Sequence, residues 1–316
     1  MRKQNDTLWK GILEPFFGDF LRFIDPALAL TIDPGRELLF MDKELHQEFP
    51  SDEGIYEQRT VDKLVKLYTL EGKEKWILLH LEVQDKYSRD FSQRMYNYFN
   101  RLYDKYKKPI TAYAIFTEPN GIKRTNAFKI NCSGTTLVYK FNTYKIAVQD
   151  NDYLMQHRNP FALIILIAKA TTLKKIYKDK QQFDDALLDY KLKIARLILG
   201  RKLPERKEKL MMNFLFFYIS FELSETKSKF DHEINLLTNK NISVMTIEEI
   251  LIGQAEIRGR RIGEKAGKKE GKQQAKQEEI TRLITKHGFT DKEIVDFAEV
   301  PLSLVRKIRT SLRNIH

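Results

Sequence analysis

Apolar side chains at Leu8, Ile12, Phe16, Phe20 and Phe23, with Leu13, Phe17 and Leu21 beside them, recur at helical spacing. They predict a helix over residues 7–24 with a broad buried face, and Asn5 and Asp6 stand before it as N-cap candidates. Residues 26–50 are broken by Pro34-Gly35 and read as loop, with a short extended piece at Leu38–Met41. Two strand-like runs follow, Thr60–Leu70 and Trp76–Gln84. The segment between them, Glu71-Gly72-Lys73-Glu74-Lys75, is polar with one glycine and suits a hairpin. The second run is apolar on both faces until its end, the pattern of a central strand. Helical periodicity returns over residues 89–107 through Phe91, Met95, Tyr98, Phe99, Leu102 and Tyr106, and Pro109 stops it. Ile110–Thr117 is again strand-like, so strand, helix and strand imply a parallel crossover, expected to be right-handed. Leu137–Ile146 predicts a further strand, and the α/β domain is expected to span residues 1–150.

Beyond Asn159-Pro160 the pattern is helical, and residues 151–250 read as a helical region. Pro160 and Pro204 sit where a first helical turn accepts proline. One helix is expected over Asp184–Leu199, ending at Gly200, and another over Glu205–Leu223. Residues 251–277 form a basic segment in which Ala255, Gly259, Gly263, Gly267, Gly271 and Ala275 recur every four residues. Glycine costs a helix about 1 kcal/mol per residue relative to alanine, so a lone helix here is marginal. Close packing against a second backbone would offset that loss and would make the tail a route to self-association. A flexible basic linker is the other reading. Residues 278–316 predict three short helices, Glu278–Lys286, Asp291–Ala298 and Leu302–Leu312, with Thr290 and Glu293 placed as a capping box.

Charge narrows the partners. The chain of 316 residues carries a formal net charge of +12, which favours polyanions, with nucleic acid ahead of an anionic membrane surface. Residues 258–316 hold fifteen Lys and Arg against eight Asp and Glu. A single cysteine, Cys132, excludes an intrachain disulfide and a thiolate cluster and fits a reducing compartment. The longest apolar run, Phe161–Ala168, is too short for a bilayer, which needs about 20 residues. The N-terminus lacks a signal peptide's apolar centre, so the expectation is a cytoplasmic protein with no membrane partner.

The chemistry-bearing residues lie at strand ends. Alternation along a strand puts His80, Glu82 and Gln84 on one face, and Asp62 starts the neighbouring strand of the hairpin. Two carboxylates converging from adjacent strands, with a backbone carbonyl nearby, make an oxygen-rich site suited to Mg²⁺. Such a metal lowers the pKa of bound water and neutralises charge on an attacked phosphate. Taken alone, an Asp at a strand start is more often a turn or capping residue, and Glu-X-Gln is a trivial pattern.

The stretch from Val61-Asp62-Lys63-Leu64 through Ile77-Leu78-Leu79-His80-Leu81-Glu82-Val83-Gln84 resembles the bacterial recombination-promoting nuclease/putative transposase family. So do Phe91-Ser92-Gln93-Arg94-Met95-Tyr96-Asn97-Tyr98 and Lys108-Pro109-Ile110, and the helical region and glycine-repeat tail look similar less specifically. That family belongs to the PD-(D/E)XK nuclease-like superfamily. The resemblance implies a restriction-endonuclease-like α/β/α core, Mg²⁺-dependent cleavage of DNA and a link to recombination or transposition. It implies that Asp62 and Glu82 are metal ligands, that the Val83 carbonyl supplies a third oxygen, and that Gln84 replaces the superfamily's lysine. A lysine stabilises developing negative charge, whereas a neutral amide orients water and donates hydrogen bonds. That departure keeps a second expectation in view, a non-catalytic DNA-binding or transposition accessory protein that retains the fold.

Other candidates are weaker. Arg94 and Tyr98 share a helix face at i and i+4, so Arg94 suits a phosphate as well as a solvated surface. Lys63 and Lys66 are further DNA-binding candidates. His80 reads as a satisfied semi-buried histidine, and Glu44 as a solvated loop acid. Residues 294–305 resemble a helix-turn-helix module whose second helix carries Arg306, Lys307 and Arg309 for DNA. Glu299 stands in the turn where glycine is usual, which favours a plain helical hairpin.

Overall fold

The computed structural model describes residues 2–41, 60–82, 90–238 and 273–313, together with Gly263, Gly267, Glu270 and Gly271. The expected N-terminal helix is two helices, α1 (Arg2–Leu13) and α2 (Phe17–Ile24). Pro15 lies between them, and a proline inside a helix removes a hydrogen bond and clashes with the preceding turn. A third helix, α3 (Pro26–Thr31), stands where a loop was expected. Asp25 caps it by accepting the Leu28 N–H at 2.9 Å, and Pro26 fills a first-turn position.

The strands β1 (Leu39–Phe40), β2 (Thr60–Tyr68), β3 (Glu74–Glu82), β4 (Ile110–Phe116) and β7 (Asn142–Lys145) form one mixed sheet in that order. The pairs β1–β2 and β2–β3 are antiparallel; β3–β4 and β4–β7 are parallel. Gly72, with φ +79°, turns β2 into β3. Helix α4 (Phe91–Tyr106) carries the chain from β3 to its parallel neighbour β4. The single strand expected at Leu137–Ile146 is divided. Its first part is β6 (Thr135–Lys140), hairpin partner of β5 (Ala127–Cys132) in a separate two-stranded sheet, and its second is β7. The chain changes sheet at Phe141, whose N–H bonds the Asn126 carbonyl at 2.9 Å.

Helices cover both faces of the large sheet. On one face α4 packs Phe91, Met95 and Leu102 against Leu64, Trp76, Leu78, Ala112, Ala114 and Phe116. The other face buries Val65, Leu67, Ile77, Leu79, Leu81, Tyr113 and Ile115 against α1, α2 and the later helices. Those helices are α5 (Asn151–Gln156), α6 (Phe161–Lys169), α7 (Lys180–Gly200), α8 (Glu205–Phe217) and α9 (Ser224–Thr238). Every residue of α6 from Phe161 to Ala168 is buried, which explains a helix that is apolar all round. Because one continuous core joins Trp9, Leu79, Ile165, Ile194 and Phe214, the chain has no break at residue 150. The compact unit runs from Met1 to Glu248, and a second runs from Glu249 to His316.

The second unit has its own small core of Ile280, Leu283, Ile294, Ala298, Val300 and Val305. Within it, α10 (Asp291–Ala298) begins with the expected capping box between Thr290 and Glu293. Glu299 takes the left-handed conformation, φ 49°, before α11 (Leu302–Arg313). No helix among the described residues is long and apolar enough to cross a membrane.

Candidate active site and a neighbouring basic cleft

The hairpin register brings the two candidate acids together along the backbone. Asp62 pairs with His80, and Glu82 pairs with Thr60. Residues opposite each other share a face, and alternate residues return to it, so positions 60, 62, 80 and 82 lie on one face at one end of the sheet. Positions 62 and 82 are diagonal neighbours, about 7 to 8 Å apart in such a pair. At Asp62 and Glu82 the structure describes the backbone. Val83, Gln84 and Glu44 lie outside the described residues.

The same face is closed by the start of α4. His80 is fully buried, with its ring 5.1 Å from Phe91 and 6.1 Å from Tyr98. Arg94 holds its guanidinium 5.5 Å from the centre of the Phe91 ring and is half-buried. Arg94 and Tyr98 therefore belong to the neighbourhood of positions 80 and 82, reached through one aromatic contact.

The other lysine and arginine candidates have different surroundings. Lys63 points to the opposite face, is 1% exposed, and bonds Glu14 at 2.7 Å beside the Phe40 ring. Burial of that ion pair takes Lys63 out of contact with any DNA. Lys66, opposite Trp76 toward the far end of β2, pairs with Glu74 and lies 5.2 Å from the Tyr68 ring centre. Its hydrogen bond to Glu74 holds its pKa above the ordinary lysine value. In the C-terminal unit, Arg309 ties two elements together, bonding Asp291 at 2.7 Å and the Phe289 carbonyl at 2.7 Å. That position makes it a residue of the fold. Arg306 is largely exposed, 3.9 Å from Asp291, and Lys307 is exposed.

A cluster that the sequence reading missed stands at the carboxyl ends of β4 and β7. Glu118, two residues past β4, is 3% exposed. Its Oε1 accepts from Arg124 Nε and Lys145 Nζ, each at 2.5 Å; its Oε2 accepts from Arg124 at 2.5 Å and from Asn120 at 3.1 Å. Burial pushes the Glu118 carboxyl up, yet these hydrogen bonds outweigh it and leave its pKa below the usual value. Burial pulls the Lys145 pKa down, and Glu118 opposes that shift without cancelling it. Arg124 and Lys145 line a cleft of about 410 Å³ together with Lys123, Phe116, Val148 and Gln149. The one sequence signal is an acid just past a predicted strand, in Thr117-Glu118-Pro119-Asn120-Gly121, followed by Lys123-Arg124.

Cleft and acids share one sheet edge. Glu82 pairs with Phe116 on β4, and Phe116 pairs with Lys145 on β7. With strands about 4.8 Å apart, the backbone at Glu82 is roughly 10 Å from that at Lys145.

Among the described residues no group of three or more His, Cys, Asp or Glu side chains could hold a metal. The donor set expected at the hairpin, two carboxylates and a carbonyl, is all hard oxygen and fits Mg²⁺ chemically. Set against known families, curated proteins and solved structures, the chain finds no match.

Proposed function

We propose that the chain is a Mg²⁺-dependent DNA endonuclease of the PD-(D/E)XK type, acting in recombination or transposition. The observation that carries this reading is the β2–β3 register, with Asp62 one pair-step from Glu82 on the same face of adjacent strands. Two carboxylates brought to one face from neighbouring strands suit a shared divalent cation. A mixed sheet with helices on both faces and a β3–α4–β4 parallel connection is compatible with that superfamily's core. The net charge of +12 suits a polyanionic substrate.

In this reading Asp62, Glu82 and the Val83 carbonyl hold Mg²⁺, which supplies acidity to water and counter-charge to the phosphate. Gln84 orients the attacking water through its amide, which brings no positive charge. Arg94, beside Phe91 on the same face, steadies the phosphate being attacked.

A plasmid-nicking assay tests this. The parent protein nicks with Mg²⁺ and not with EDTA, while Asp62→Ala and Glu82→Ala each lose nicking, as expected when a ligand to the required metal is removed. Circular dichroism confirms that both variants fold. Full nicking by both variants sinks the site. Gln84, in place of a lysine, favours the second reading, a DNA-binding or transposition accessory protein; duplex binding without nicking in any divalent metal would establish it.

A further inference from the structure

We propose that the cleft at the ends of β4 and β7 is a phosphate-binding site for the nucleic-acid backbone, with Arg124 and Lys145 as its fixed donors and Lys123 at its rim. The inference rests on the DNA reading and adds a binding site to it.

The charge balance points to an anion. Arg124 and Lys145 both bond Glu118 on the wall of the cleft. Lys123 lines the same cleft, is exposed, and is not among the donors to Glu118. Lys175 acts on Lys145 as a further like charge, as does Arg124, and both disfavour its charged form. Cations gathered on the wall of one cleft focus their field into it and attract an anion.

Geometry gives those cations a use. Glu118 accepts from both Nε and a terminal nitrogen of Arg124, which fixes the plane of the guanidinium. A guanidinium held flat suits phosphate oxygens, and Lys145, 12% exposed, is held on the same carboxylate. The phenyl ring of Phe116 lies beneath the ammonium of Lys145, 6.0 Å away, and keeps water from one side of it. Phe116 is also the register partner of Glu82, which places the cleft about 10 Å along the sheet edge from the proposed metal ligands. A strand of a few nucleotides spans that separation. A strand crossing the edge can therefore set one phosphate at the acids and another in the cleft.

The alternative is that Glu118, Arg124 and Lys145 are only a buried structural ion cluster. Lys123 separates the two, because it lines the cleft and takes no part in the hydrogen bonds to Glu118. Fluorescence anisotropy of a labelled duplex, titrated with full-length protein in EDTA, compares the parent with Lys123→Glu. We expect duplex affinity to fall about tenfold and the slope of log Kd against log salt to drop by about one, the signature of one lost phosphate contact. The thermal midpoint should not move. Arg124→Lys, which keeps the charge and loses the fork, should weaken binding as well. Unchanged affinity and salt slope in Lys123→Glu overturn the inference. So does weaker binding to phosphatidylserine vesicles with duplex binding intact. Because EDTA removes turnover from the measurement, the two readings fail separately. A parent that nicks DNA while Lys123→Glu binds like the parent sinks the cleft alone. A parent that never nicks while Lys123→Glu loses affinity sinks the nuclease alone.

Discussion

Carboxylates occupy neighbouring stretches of one sheet edge in two different settings. Glu118 is shut in, 3% exposed, with all four of its acceptor positions filled by Arg124, Lys145 and Asn120. Asp62 and Glu82 stand on the adjacent hairpin with a partner of the same sign one pair-step away. The fold itself supplies the cations for the first site. For the second, on the proposed reading, the cation comes from solution. A carboxylate with built-in counter-charge holds structure together, whereas the role proposed for the hairpin pair is to share a cation from solution.

The largest expected effect breaks or confirms that contrast directly. Glu118→Gln keeps the shape but leaves Arg124 and Lys145 half-buried against a neutral amide. Removing one partner of a buried ion pair costs about 3 to 5 kcal/mol, so the urea midpoint should fall sharply. On the proposed reading Asp62→Asn and Glu82→Gln, measured in EDTA, should leave the midpoint unchanged or raise it, since each would remove a charge that needs the absent cation. If the two hairpin variants lose as much stability as Glu118→Gln, all three carboxylates are structural and the contrast is lost.

The sequence pattern showed most of the sheet and little of the cleft. A run apolar on both faces marked β3, whose Ile77 to Leu81 are buried, and the 3.6 period marked α4 between it and β4. The hairpin pairing of Asp62 with the end of β3 followed from one turn and from alternation, both local signals. Glu118 meets Lys145 across 27 residues and Lys63 meets Glu14 across 49, and no periodicity encodes such contacts. That is why Lys63 read as a DNA contact. The apolar positions change phase after Phe141, from Leu137, Tyr139 and Phe141 to Tyr144 and Ile146, a slip that a single strand over Leu137–Ile146 overlooks and that marks where the chain leaves one sheet and enters another. Pro15 was a visible helix breaker, outweighed in the sequence reading by strong apolar spacing on either side of it.

A smaller effect sharpens the hairpin side of the comparison. If Gln84 orients water, Gln84→Ala should slow single-turnover cleavage by about 10²-fold, the order seen when one preorganised donor is lost. Mg²⁺ affinity should barely change, because the proposed ligands are untouched. Gln84→Glu should tighten the metal and slow attack on an anionic phosphate. A Gln84→Ala variant that cleaves like the parent removes Gln84 from the mechanism.

The smallest effect concerns a buried cation set among carbonyls, unlike Lys145, whose ammonium bonds a carboxylate. Lys191, 2% exposed, donates to the carbonyls of Phe216 at 3.1 Å, in the last turn of α8, and of Ile219 at 2.5 Å, just past it. Phe221 and Phe230 enclose its ammonium, with ring centres 5.0 and 5.4 Å away. Burial pulls its pKa from 10.5 down to about 7, although Asp231 and Asp184 act to raise it. Between those two values the unfolded chain holds a proton that the folded chain releases. Stability should therefore rise as pH climbs from 7 toward 10.5 and be lost as pH falls through 7, by at most about 1.4 kcal/mol per pH unit. Lys145 is also pulled down by burial, but the Glu118 carboxylate opposes the shift, so its share of the slope should be smaller. Urea midpoints at pH 7, 8 and 9 for the parent and Lys191→Met separate this from other titrations. The parent should gain stability over that range relative to the variant, in which the Lys191 contribution is gone. Parallel pH profiles for the two proteins would mean that Lys191 stays charged in the fold, held by the two carbonyls and its aspartates, and that burial alone does not discharge a lysine here.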